Sequence, residues 1–412
     1  MHSESKPNPK KPYLELIPLK PGVSATRPTY LEVLLRVHAP ELEARPHRPL
    51  MNLALVLDRS GSMSGQKLDY AKEAAIYAVH SLLPEDRVAV VAYDNEVQVL
   101  VPSTPAADRP AIAARIRSLR PGGSTALHAG WLEGATQVAA FQEAGRTNRV
   151  ILLSDGLANQ GETHPQVIAS QVRGLAQRGV STSTLGVGLD YNEDLMSAMA
   201  DAGEGNYYFV ESPADLPRIF AQELSGLAGT LGTRVRLRLT PAAGGTVRLC
   251  NDLEQDLSGA YVLPNLIAGM PLEFLLALGA PAAAEVPLRL SLTWETPSGA
   301  QEQLEATLRL PVLEDVELER LPTHPEVSAM VAKLEATRAR QQAMEALAQG
   351  DLWTARTSLL RATSRVAEHG PALATEAEEL RLALLDLEAS PTRTRKTLSS
   401  QVYRDRKGRK ES

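Results

Sequence analysis

The chain has 412 residues, 43% of them hydrophobic and 22% charged, the balance of an ordinary globular protein. Its length suggests about two to four domains. The formal net charge of −6 excludes a global nucleic-acid footprint, and a single cysteine, Cys250, excludes an internal disulfide.

The first 48 residues hold two strand-like runs, "YLELIPL" and "TYLEVLLRVHA". No apolar run of signal-peptide length precedes them. Residues 49–228 then alternate apolar runs with amphipathic helical patterns. The strands are "MNLALVL", "RVAVVAY", "EVQVLV", "RVILLS", "VSTSTLGVG" and "NYYFV". Such alternation predicts βαβ units and a doubly wound, mostly parallel six-stranded sheet with helices on both faces. "EVQVLV" follows "RVAVVAY" through a tight Asp-Asn turn, which predicts an antiparallel edge hairpin.

From 229 to 315 the texture changes to short alternating runs separated by Gly, Pro and Ser. This predicts a small β-sandwich, which the N-terminal strands would complete. The most apolar window, "GMPLEFLLALGAPAAAEVPL", carries Glu273, Glu285 and helix breakers and makes a poor membrane span. A cytoplasmic location is expected. Cys250 reads as a small buried side chain. Residues 322–390 predict an α-helical region, with Trp353 placed in its core. The basic stretch 391–412 predicts a disordered tail; its hydroxyls raise the expectation of regulatory phosphorylation at Thr394 and Thr397.

Function turns on "ALVLDRSGSMSGQKL", residues 54–68. It fails as a phosphate-binding P-loop: Gly61 and Gly65 stand one residue too close, Gln66 precedes Lys67, and Leu68 replaces the hydroxyl. It fails as a nucleophile elbow, because no serine has a glycine two residues to either side. As a metal site it is better supplied. Asp58, Ser60 and Ser62 form D-x-S-x-S at the carboxyl end of an apolar strand, where open α/β sheets bind ligands. "PGGSTALHAG" adds Thr125 at a helix start, and "LLSDGLANQG" adds Asp155 at another strand end. Oxygen donors of this kind suit Mg2+, with Mn2+ or Ca2+ as alternatives.

D-x-S-x-S, a distant Thr and a distant Asp resemble the metal-ion-dependent adhesion site of the von Willebrand factor type A (VWA) family, in its bacterial form, over residues 49–228. The resemblance implies a Rossmann-like fold. It also implies that Ser60, Ser62 and Thr125 supply hydroxyl oxygens while Asp58 and Asp155 act largely through water. Two carboxylates leave such a metal electrophilic, so the expected function is a protein-interaction scaffold whose partner presents a Glu or Asp to the ion. Catalysis is not expected, because His128, His164, Glu162 and Asp94 read as helix or solvated loop residues rather than a general base. Two other readings remain open. One is a non-catalytic subunit of an AAA+ machine of the MoxR or chelatase kind, since the chain has no Walker motif. The other is a metal-dependent phosphohydrolase. A kinase or phosphatase system is a further expected partner class; neither a membrane nor a nucleic acid is.

Overall fold

The computed structural model describes residues 11–41, 48–143 and 145–409, so parts of the predicted N-terminal region and linker, and Lys410 of the predicted tail, lie outside the described residues. The chain divides into two compact units. One comprises the N-terminal strands and everything after residue 230 apart from a short turn at 297–299; the other is the α/β unit between them.

The N-terminal strands are β1 (Tyr13–Pro18), β2 (Val23–Ser24) and β3 (Thr29–His38). The α/β unit follows as β4 (Leu50–Asp58), α1 (Gln66–Ser81), β5 (Arg87–Tyr93), β6 (Val97–Pro105), α2 (Arg109–Arg117), α3 (Leu127–Ala139), β7 (Arg146–Ser154), α4 (Pro165–Gln177), β8 (Ser181–Val187), α5 (Glu193–Ala202), β9 (Glu204–Val210) and α6 (Leu216–Ala228). The sheet order is β6-β5-β4-β7-β8-β9. Five strands run parallel, and β6 pairs antiparallel with β5, so the sheet is mixed. The hairpin reverses at Asp94-Asn95, as its turn residues predict.

Central β4 is a continuous apolar run because both of its faces are covered. Met51, Leu53, Leu55 and Leu57 share a core with α1 and α6. The alternate residues face α3, where a Cβ on Gly134 would come within 2.3 Å of Val56. The chain leaves β4 toward β5 on one side and later enters β7 on the other. The crevice at the carboxyl ends of β4 and β7 is therefore the topological switch point of the sheet.

The second unit continues with β10 (Thr230–Pro241), β11 (Thr246–Leu249), β12 (Tyr261–Val262), β13 (Leu266–Ile267), β14 (Leu272–Ala280), β15 (Leu288–Glu295), β16 (Gln301–Leu308) and β17 (Val312–Leu313). The N-terminal strands join it: the first sheet is β1-β3-β14-β11 and the second β12-β10-β15-β16. Alternation decides the packing. Val33, Leu35, Phe274 and Leu276 meet Val235, Leu237, Leu290 and Leu292 of the other sheet. Leu34 and Leu275 point the opposite way.

Five helices close the chain: α7 (Asp315–Arg320), α8 (Pro325–Ala348), α9 (Leu352–Ala367), α10 (Ala374–Ala389) and α11 (Pro391–Arg406). Val327, Met330 and Leu334 of α8 cover Leu34, Leu275 and Cys250 on the outer face of the first sheet. Helices α8 to α11 pack around a core that includes Ala343, Leu359, Val366, Leu380, Leu387 and Leu398.

Two expectations change here. Trp353 is 75% exposed. The buried positions of α9 are Ala355, Leu359, Ala362 and Val366, and a 3.6-residue period places position 353 away from that stripe. The basic stretch is ordered helix through Arg406 rather than a disordered tail. Its few apolar residues, Leu398, Val402 and Tyr403, share one face and are buried. Thr394 is 1% exposed and donates to the Ser390 carbonyl at 3.1 Å, and Thr397 is half-buried. Thr394 is therefore closed to a kinase in the folded bundle.

The end of α11 is tied to β14 by Gly408, whose carbonyl accepts from Glu273 N at 2.8 Å. Gly408 has φ +64°, and a Cβ there would lie 2.4 Å from the Glu273 carbonyl oxygen. The backbone can approach so closely only without a side chain. Gly408→Ala is expected to release this end of the chain, read as faster proteolysis after α11 and about 1–3 kcal/mol of lost stability.

Candidate metal centre

Three loops meet at the switch point, each carrying part of the predicted set. After β4 the chain turns through a 3-10 segment, Gly61–Met63, into α1. Asp58 ends β4, fully buried, and its Oδ1 accepts from Ser60 N at 2.8 Å. This short turn brings the Ser60 and Ser62 hydroxyls to 3.1 Å from each other. Ser62 Oγ then donates to Asp155 Oδ1 at 2.7 Å, across from the end of β7. Thr125 enters from the loop before α3. A Cβ on Gly156 would lie 3.4 Å from Thr125 Oγ1 and 3.5 Å from Ser62 Oγ, so the two hydroxyls flank one small space. All five predicted residues are brought together.

The supporting contacts explain why the loops hold. Gly61 N donates to the Gly123 carbonyl at 2.8 Å, and Gly122 N to the Arg59 carbonyl at 2.7 Å. Thr125 N donates to Asn159 Oδ1 at 2.9 Å, locking the Thr125 loop to the Asp155 loop. Asp94, expected as a solvated loop charge, is instead 4% exposed. Its carboxylate accepts from Glu96 N and Gly123 N and pairs with Arg59. Burial acts to raise its pKa, yet these donors and the guanidinium hold its carboxyl below the usual carboxylate range. A Cβ on Gly122 would strike Asp94 Oδ2, which is why the Gly-Gly pair precedes Ser124.

Two further residues escape the motif. Ser154 Oγ donates to Asp58 Oδ2 at 2.7 Å. Lys67 Nζ donates to Asp155 Oδ2 at 2.5 Å. Ser154 reads in the sequence as the last residue of a strand, and Lys67 as the lysine of a failed P-loop; neither has a linear signal of its role. Burial pushes the Asp58 carboxyl up, opposed by the bonds from Ser60 and Ser154 and reinforced by the nearby Asp155.

Among the described residues no group of three or more His, Cys, Asp or Glu side chains is placed to hold a metal ion. The donor set at the switch point is of another kind: two carboxylates and three hydroxyls, all oxygen. That chemistry fits a hard divalent cation with an incomplete protein shell. His128 on α3 pairs with Gln171, and His164 with Glu162.

A sheet of this order, with this cluster of oxygens at its switch point, defines the class. The von Willebrand factor type A domain model matches residues 52–222, and the chain contains a domain of that family. The fold likeness runs further. A von Willebrand factor type A protein from Catenulispora acidiphila superposes with a TM-score of 0.75 at 21% identity, over 99% of both chains. In sequence, the chain is 29% identical over 232 residues to the protein sll0103 of Synechocystis, covering 56% of this chain and 54% of that one. It is 34% identical over 195 residues to YfbK of Escherichia coli, covering 46% and 34%. The chain thus spans about half the length of the first of these relatives and a third of the second. Among the described residues no helix is long and apolar enough to cross a membrane.

Proposed function

We propose that the α/β unit is a divalent-metal-dependent protein-interaction module. Asp58, Ser60, Ser62, Thr125 and Asp155 would hold Mg2+ or a similar ion, and the partner would contribute a Glu or Asp carboxylate. The observation that carries this reading is the unbroken row of contacts from Asp58 through Ser60 and Ser62 to Asp155, with Thr125 alongside. Hydrogen bonds of this kind pre-position oxygens that an ion would otherwise have to collect, so less entropy is lost on binding.

The ion would supply Lewis acidity. The chain's own residues do the rest: the Gly122-Gly123 turn and Asn159 fix Thr125, while Ser154 orients Asp58. With only two carboxylates in the set, an added anionic oxygen is favourable, which supports binding of an acidic side chain over turnover.

The test is capture of partners by the full chain from its native cell extract, identified by mass spectrometry, with and without EDTA. The expected result is a partner retained by wild type in Mg2+, and lost both in EDTA and in Ser60→Ala. The same partner retained in EDTA and by the variant overturns the reading.

A further inference from the structure

Lys67 stands in the first turn of α1, which begins at Gln66. A cation there opposes the helix dipole, which favours acidic side chains at this end and basic ones at the other. The helix therefore gives no local reason for a lysine. The reason lies in what the side chain reaches. Its ammonium bonds Asp155 Oδ2 at 2.5 Å, a pair in which the carboxylate is fully buried and the lysine is 26% exposed. The other oxygen of the same carboxylate accepts from Ser62. Lys67 thus caps one end of the row of oxygens at the switch point.

We propose that Lys67 is a tethered cation that sets the affinity of this site, neutralising Asp155 so that a divalent ion is held firmly only when an outside carboxylate joins it. This rests on the metal reading above. The formal charges of Asp58, Asp155 and Lys67 leave one net negative charge. A divalent ion turns that into one net positive charge, and a single external carboxylate restores neutrality. In a largely buried crevice such charges are weakly screened, so this balance controls occupancy. Without Lys67 the ion alone would neutralise the site and the call for a partner anion would fall.

The experiment measures Mn2+ binding to the full chain by the paramagnetic resonance signal of the free ion, with and without acetate as the carboxylate probe. Lys67→Met keeps the stem and removes the charge; Lys67→Arg keeps the charge. Lys67→Met is expected to bind Mn2+ at least about tenfold tighter than wild type in the absence of acetate. It should also lose the tightening that acetate gives wild type. Lys67→Arg should stay within about twofold of wild type. Melting in EDTA reports folding separately: Lys67→Met is expected to melt lower than wild type there, because the fully buried Asp155 loses its ion pair, while still unfolding as a cooperative unit.

Equal or weaker Mn2+ binding by Lys67→Met overturns the proposal while leaving the metal site standing. Tightened binding that survives in a Lys67→Met, Asp58→Ala double variant overturns both the proposal and the metal reading, because the ion then sits elsewhere. Wild type that binds no Mn2+ overturns the metal reading and this inference with it.

Discussion

Asp58→Asn is expected to weaken Mn2+ binding more than about 100-fold while leaving the metal-free α/β unit at least as stable as wild type. Loss of a partner that merely orients a ligand costs about 10–100-fold in affinity, and Asp58 contributes its charge directly. The stability half follows from its surroundings. Asp58 is fully buried, and its two oxygens accept from neutral donors, Ser60 N at 2.8 Å and Ser154 Oγ at 2.7 Å. Burial pushes its carboxyl up, the mark of a charge the fold holds at a cost. The amide has the same shape and no charge, and its nitrogen can donate to the Ser154 hydroxyl. Each kcal/mol recovered raises the melting temperature of a unit this size by about 2–4 °C. Calorimetry in EDTA, beside Mn2+ titration, checks both halves. A variant that melts lower and binds Mn2+ as wild type does would show that Asp58 serves the fold and not an ion.

Arg340→Met is expected to cost the second unit about 3–5 kcal/mol, the largest stability effect of a single change foreseen in this chain. Arg340 is fully buried on α8. Its guanidinium pairs with Glu376 and with Glu379 Oε2 at 3.0 Å on α10, and with Asp405 Oδ2 at 3.2 Å on α11. Thr337 and Lys333 also reach Asp405, at 3.0 and 3.3 Å. Methionine fills much of the volume but leaves Glu376 and Asp405 buried with less to balance them. Glu376 already has its pKa raised: burial is the main cause, the Asp405 charge adds to it, and Arg340 opposes both. The sign with pH follows. Removing Arg340 raises the Glu376 pKa further, so the penalty is fully present at neutral pH. It shrinks as the pH falls toward the carboxylate range, where the side chain takes up a proton. Urea unfolding followed by a probe in the helical bundle measures the loss. Because two units unfold, that transition is read by itself. A cost below about 1 kcal/mol, constant with pH, would show that the ion pairs balance little.

Much of the α/β unit was legible because its signals are local. "RVAVVAY" is β5 residue for residue, and the other five strands fall within a few positions of their apolar runs. The five candidate ligands were legible for a different reason. They lie at strand ends and a helix start, where the alternation of the elements places them on one edge of the sheet. The basic stretch was misread because composition reports average polarity. α11 is held by three apolar residues at helical spacing and by Asp405 meeting Arg340, a partner 65 residues away.

By itself, then, the sequence determined the order of elements in the α/β unit, the sheet's switch point and which oxygens gather there, since period, turn chemistry and strand ends are short-range properties. Only the tertiary structure decided that Asp94 is buried against Arg59, that Ser154 holds Asp58, that Lys67 caps Asp155 and that the basic stretch is a docked helix. Each of these depends on a charge or hydroxyl meeting a partner distant in the chain, and burial, which sets the strength of such contacts, is a property of the packed molecule alone.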